Sequence, residues 1–135
     1  MANKLSLNIV KTEFLLIGSR LRLRLQCNQQ IHIQIEGKNI SQVEKTKSLG
    51  VFIDDKLTWK NHVDKISKRI SSGIGALKRR RPFVSLDTAK KIYVSLLQPP
   101  FDYCCTVWDG INNQLTEKLQ KLQNGAARVI TKSSY

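Results

Sequence analysis

Cysteine and histidine are scarce here, and those present are badly placed for chemistry. The chain has three cysteines, Cys27, Cys104 and Cys105, and two histidines, His32 and His62. Adjacent cysteines rarely bridge each other, because the disulfide strains the intervening peptide. No pair has Cys-x-x-Cys spacing, and each histidine stands alone. The pattern argues against a zinc site, a disulfide framework and a Cys-His or Ser-His-Asp nucleophile. Reduced, mostly buried thiols in an intracellular protein fit it. Long apolar runs are also missing, none approaching the roughly 20 residues that span a bilayer. The start, Met1-Ala2-Asn3-Lys4-Leu5, lacks the apolar centre and small-residue cleavage site of a signal peptide. A soluble chain without a membrane partner, nuclear or cytoplasmic, is expected. Gly73-Ile74-Gly75 has no lysine-serine/threonine ending and lies within a helical period, so it is not a phosphate loop. There is no internal repeat and no low-complexity linker.

Acids are few as well. Ten Asp and Glu stand against 23 Lys and Arg, for a net charge of +13. The excess is uneven. Residues 1–58 carry nine bases and five acids, residues 59–81 eight and one, and residues 82–135 six and four. Just over half of the surplus, +7, therefore falls on residues 59–81. Such a focused field suits a polyanion, with nucleic acid first and an anionic membrane surface second; the plainer reading is a basic face that keeps the chain in solution. With 135 residues, 41% of them hydrophobic, the chain is one domain or a piece of a larger one. It can form a modest core and is not expected to be disordered.

The hydrophobic period changes midway. Thr12 to Ile17 is apolar with a branched bias and stops at Gly18-Ser19. Leu21, Leu23 and Leu25 alternate with Arg20, Arg22 and Arg24, as Ile31, Ile33 and Ile35 do with His32 and Gln34. That period of two predicts half-buried strands, paired as a hairpin through Asn28-Gln29-Gln30. Ile40 to Val43 and Ser48 to Ile53 supply two more. From Trp59 the spacing turns helical: Trp59, Val63, Ile66, Ile70, Ile74 and Leu77 share one face, with Thr58 as N-cap. Gly73 and Gly75 weaken this helix, by about 1 kcal/mol each relative to alanine, and Pro82 ends it. Ser85 caps a second helix through Leu86, Ala89, Ile92, Tyr93, Leu96 and Leu97, interrupted at Pro99-Pro100. Phe101 to Trp108 reads as a buried connection or short helix, broken at Asp109-Gly110. A third helix starts near Asn113 and carries Leu115, Leu119, Leu122, Ala126 and Val129.

Phe52-Ile53-Asp54-Asp55 matches, on the surface, the aromatic-x-Asp-Asp turn of polymerases. Two-metal phosphoryl transfer needs carboxylates that hold ions about 4 Å apart, including one from an earlier strand. The acids before Asp54 are Glu13, Glu36 and Glu44, in no metal-binding pattern. Asp54 and Asp55 are expected to serve a turn and the start of a helix, and no metal ligands are expected.

Other residues carry the resemblance. Leu49-Gly50-Val51-Phe52-Ile53-Asp54-Asp55-Lys56-Leu57-Thr58-Trp59, followed after two residues by His62, resembles the segment that joins palm to thumb in the reverse transcriptases of non-LTR (LINE/Jockey-like) retrotransposons. Asn3-Lys4-Leu5-Ser6-Leu7-Asn8 with Lys11-Thr12 is similar to the stretch after that family's catalytic Asp-Asp. Ala89-Lys90-Lys91-Ile92-Tyr93, Gln98-Pro99, Phe101-Asp102-Tyr103-Cys104 and Val107-Trp108 resemble its thumb, although the family usually has one proline, often after an arginine. Lys121-Leu122-Gln123-Asn124 with Ala126-Ala127-Arg128 resembles the next helix. Each motif is weak alone; their order and spacing along the chain carry the assignment.

The resemblance implies an α+β fold: a small antiparallel palm remnant of β-strands over residues 1–57, then a helical thumb of about three helices over 58–135, truncated at its C-terminal end. It implies a fragment of an RNA-directed DNA polymerase whose magnesium ligands, fingers and remaining palm would lie before Met1, with an endonuclease domain possible further upstream. No cofactor is then expected in this chain, and by itself it is expected not to add nucleotides. RNA template and DNA primer are the implied partners. Lys11 matches a lysine proposed to protonate the pyrophosphate leaving group, where a cation would stabilise developing charge; a solvent lysine at a strand entrance is the alternative. Lys60, Lys65, Lys68 and Arg69, then Lys78, Arg79, Arg80 and Arg81, are the candidates for nucleic-acid phosphates. Their alternatives are a solvated helix face and, for the last four, a nuclear-localisation run. Trp59, Tyr103 and Trp108 are candidates for base stacking and for the core. A small non-catalytic nucleic-acid-binding protein, or a truncated retroelement reading frame without selected function, would share these features.

Overall fold

The computed structural model describes residues 7–26 and 31–133. The chain divides into two compact units, residues 1–57 and 58–135.

The first unit is built from short strand pairs. β1 (Glu13–Leu15) lies parallel to β4 (Ser41–Val43), with Phe14 opposite Gln42. A parallel pair needs a long crossover. Here it contains α1 (Arg20–Gln26) and the small antiparallel hairpin of β2 (Gln34–Ile35) and β3 (Lys38–Asn39). β5 (Lys45–Ser48) and β6 (Val51–Asp54) form a second antiparallel hairpin. The α+β class holds, but one uniform antiparallel arrangement does not: among the described residues there are three two-stranded sheets, one of them parallel.

Two local expectations in this unit are corrected. Leu21, Leu23 and Leu25 lie on a helix, not a strand. Leucine and arginine are good helix formers without β-branching, and Ser19 starts the turn by accepting from Leu23 N–H at its carbonyl, 2.9 Å away. Leu21 and Leu25 are 70% and 68% exposed, so their alternation marks no buried strand face. The hairpin expected through Asn28-Gln29-Gln30, which itself lies outside the described residues, is replaced by one turning at Glu36-Gly37. Ser48 to Ile53 is likewise not one strand, because Leu49-Gly50 turns the chain between β5 and β6. Both turns place two successive residues at positive φ, 50° and 74° in the first, 46° and 89° in the second. That geometry matches the twist of the strands it joins.

The second unit is helical. α2 (Lys60–Arg80) buries Val63, Ile66, Ile70 and Leu77 along one side. It begins after Trp59, which holds a left-handed conformation (φ 60°) and makes no side-chain cap. Thr58 is therefore not the N-cap: its Oγ1 lies 3.5 Å from Lys60 N, at the outer limit of a hydrogen bond. The helix runs unbroken through Gly73 and Gly75 and closes in a 3₁₀ turn, Arg81–Phe83, around Pro82. Ser85 caps α3 (Leu86–Ile92), its Oγ accepting from Thr88 N–H at 3.1 Å. A π turn, Tyr93–Leu97, follows and is closed by Gln98 N–H on the Tyr93 carbonyl at 2.9 Å. Pro99 and Pro100 have no N–H for the carbonyls of the preceding turn, and they start α4 (Pro99–Asp102), where none is needed. α5 (Cys105–Trp108) follows Cys104, which is left-handed at φ 52°. Asn112 caps α6 (Asn113–Thr131) through Leu115 N–H at 3.0 Å.

Leu77, Ala89, Leu97 and Ile130 form the buried centre of this unit, joined by Ile74, Ile92, Tyr93 and Val129. α2, α3, the π turn and α6 each contribute. Gly73 allows the Leu97 side chain to seat directly against the α2 backbone, where a Cβ would collide with it.

Candidate nucleic-acid interface

α2 separates its two sides cleanly. Burial of the apolar side fixes the helix rotation, and Lys60, Lys65, Lys68, Arg69, Lys78, Arg79 and Arg80 are all left exposed. Among the described residues none of these seven forms an ion pair. The one acid of the helix, Asp64, instead receives Lys118 Nζ of α6 at 2.7 Å. A helix of 21 residues is about 30 Å long, so the cations form a strip of that length. Unpaired lysines and arginines spaced along a rod can neutralise successive phosphates without reading sequence.

Arg81 is different. Half-buried, it donates from Nε to the Ile130 carbonyl at 2.8 Å and from Nη1 to the Val84 carbonyl at 2.9 Å. Ile130 lies in the last turn of α6, where carbonyls lack helical donors and a cation is favoured by the helix dipole. The guanidinium thus ties the end of α2 to the end of α6, and the basic run divides into three exposed cations and one structural one. The even run of four cations in the sequence carries no sign of that division.

Trp59 and Trp108 are 8% and 6% exposed and belong to the interior. Tyr103 is 52% exposed and alone of the three offers a ring face. The tyrosine–cysteine…tryptophan box is a local unit: Trp108 Nε1 donates to the Tyr103 carbonyl at 3.1 Å across the left-handed Cys104. Trp108 also meets His62 of α2, ring centroids 5.7 Å apart. Burial holds the His62 imidazole below its ordinary value. The negative charge that Cys104 can acquire raises the Tyr103 phenol above its own, with lesser help from desolvation. The expectation of mostly buried thiols is corrected: Cys104 is half-buried and Cys105 exposed, while Cys27 lies outside the described residues.

In the first unit, Lys11 is exposed at the end of a 3₁₀ turn, Ile9–Lys11, whose cap is the Asn8 side chain. Asp54 is buried, its Oδ1 accepting Lys56 N–H at 3.1 Å, and Asp55 contacts Lys56 Nζ at 3.3 Å. Among the described residues no group of three or more His, Cys, Asp or Glu could hold a metal ion, and no helix is long and apolar enough to cross a membrane. Lys118 of α6 was not singled out from the sequence, and Lys121 only as part of a family motif, not as a site residue. Their spacing of three, one helical face, is the signal that could have found them.

Comparison with known proteins finds two relatives named as transposon polymerases. Over 102 residues, 73% of the chain, it is 31% identical to a probable RNA-directed DNA polymerase from transposon X-element of Drosophila melanogaster. Over 106 residues, 76% of the chain, it is 27% identical to a probable RNA-directed DNA polymerase from transposon BS of the same organism. The aligned part is 11% and 12% of those two proteins, so the chain corresponds to a small segment of each. No family model matches, and no solved structure does. The chain is thus similar to part of transposon reverse transcriptases.

Proposed function

We propose that this chain is the palm-to-thumb segment of a non-LTR, LINE/Jockey-like reverse transcriptase, and that its helical unit grips the RNA template–DNA primer duplex by its phosphates. The observation that carries this reading is the side of α2 opposite the core: seven exposed cations without an acid partner, on a helix whose rotation the core fixes. Residues 1–57 are then the palm segment that follows the catalytic turn. In a whole polymerase of this kind magnesium would supply Lewis-acid chemistry, and no residue of this chain is assigned to hold it. In this chain Lys11 would approach the phosphates of the incoming nucleotide, while Lys60, Lys65, Lys68, Arg69, Lys78, Arg79 and Arg80 hold the duplex. Arg81 holds the helices that carry them.

The test is fluorescence anisotropy of a labelled RNA–DNA duplex against salt concentration. Binding should be indifferent to sequence, and K78Q/R79Q/R80Q should lower the log–log salt slope by roughly 2 to 3. An unchanged slope would reject the assignment of α2. The chain alone should not extend a primer; magnesium-dependent extension would overturn that part of the reading.

A further inference from the structure

α2 and α6 border an open groove that the basic strip does not explain. It holds about 340 Å³ and is lined by Ser67, Ser71, Gln114, Lys118, Lys121 and Leu122. That is roughly ten times one water's share of liquid volume, enough for a phosphate with its sugar. No acid lines it. Ser67 is 4% exposed, and its Oγ has no hydrogen-bond partner. A buried hydroxyl left unsatisfied is costly, and Ser67 lines the same groove as Lys118 and Lys121. Lys121 is 79% exposed, its Nζ 3.7 Å from Glu117; Lys118 is held by Asp64. Ser67 and Ser71 are one helical turn apart, in the same row of α2 as Lys60 and Lys78. The groove wall therefore continues the strip.

We propose that this groove is a phosphodiester site for one nucleic-acid strand. Ser67, Ser71 and the Gln114 amide donate to the non-bridging oxygens, Lys121 supplies the counter-charge beside the Asp64-bound Lys118, and Leu122 meets the sugar. The site rests on the reading of α2 as a nucleic-acid-binding helix and adds a defined contact to it. A strand seated here is fixed in register, which an open strip of cations cannot do.

The whole chain is titrated with an RNA–DNA duplex, with inorganic phosphate and with phosphatidylserine vesicles, and amide resonances are followed by NMR. Phosphate and duplex should both shift Ser67, Ser71 and Gln114. S71A/K121Q should weaken duplex binding about threefold to tenfold and lower the salt slope by roughly 1. K121Q alone, changing an exposed side chain, should give part of that loss in a chain with unaltered melting temperature. Unchanged duplex affinity and slope in S71A/K121Q, with K65Q/K68Q/R69Q still weakening binding, would overturn the groove and leave the α2 strip standing. No duplex binding by the unsubstituted chain would overturn both. Loss of vesicle binding in S71A/K121Q with duplex binding intact would make the groove a lipid-headgroup site and overturn the nucleic-acid assignment.

Discussion

Arg79 and Arg81 are two residues apart, yet they do different work. Arg79 is exposed on α2, whereas Arg81 is half-buried and donates to the carbonyls of Ile130 and Val84. Charged hydrogen bonds of this kind contribute about 1.5–3 kcal/mol each where they are shielded. Arg81→Gln should therefore lower the melting temperature of the helical unit and leave the salt slope of duplex binding nearly unchanged. Arg79→Gln should do the reverse, and thermal melts with anisotropy distinguish the two. His62 provides a pH prediction. Its imidazole is held below the ordinary value of 6.5 by burial, so the unfolded chain takes up a proton before the folded one. Its contribution to stability is complete above pH 6.5, falls as pH drops below that, and levels off once the folded form also protonates. Melts from pH 7.5 to 5 should show this loss, and His62→Gln should flatten it.

Elements in this chain are set by close approaches and turns as much as by hydrophobic period. Gly73 breaks the helix rule in the sequence, but Leu97, 3% exposed, occupies the place its Cβ would take. Gly73→Ala gains about 1 kcal/mol of helix propensity and costs about 1–3 kcal/mol in overpacking. A net loss of stability is expected, eased by adding Leu97→Ala in a double-mutant cycle. A stabilised Gly73→Ala would contradict the contact. In the β5–β6 hairpin, Leu49 sits at φ 46° and is 88% exposed. A left-handed conformation costs an L-residue other than glycine or asparagine about 1–2 kcal/mol. Leu49→Asn should therefore raise the stability of the hairpin, read as slower amide exchange across Thr46 and Ile53.

For the whole molecule the two units differ in what they bury. Among the described residues of the first, Ile40, Val51 and Asp54 are the buried ones, while Leu7, Val10, Ile17, Leu21, Leu25 and Leu49 are at least half exposed. Among the described residues every strand there has one neighbour and so an open edge, which other chains can pair with. The second unit packs buried side chains of α2, α3, the π turn and α6 around one centre. Hydrogen exchange should show amides of β1–β6 opening at much lower free energy than those of α2 and α6, and concentrated samples should associate through the first unit. Uniform protection across both units would overturn this.

The long helices were legible in the sequence because burial of one side leaves a period that any reader can count: Val63, Ile66, Ile70 and Leu77 in α2, Leu115, Leu119 and Ala126 in α6. The caps Ser85 and the start near Asn113 follow from local side-chain bonding, which also acts over a few residues. The short elements were not legible. Leu21 to Leu25 alternates like a strand and forms a helix, since exposed leucines obey no burial period, and the pairing of β1 with β4 joins residues far apart in the chain. The same division runs through the candidate site. Charge alone located the basic run at residues 59–81. The assignment of Arg81 to the end of α6, of Lys118 to Asp64, and of Ser67 to a groove against Gln114 and Lys121 needed α2 and α6 laid side by side. Charge and hydrophobic period are properties of a sequence; which cation stays free for a ligand is decided by the carbonyls and carboxylates that folding brings within reach.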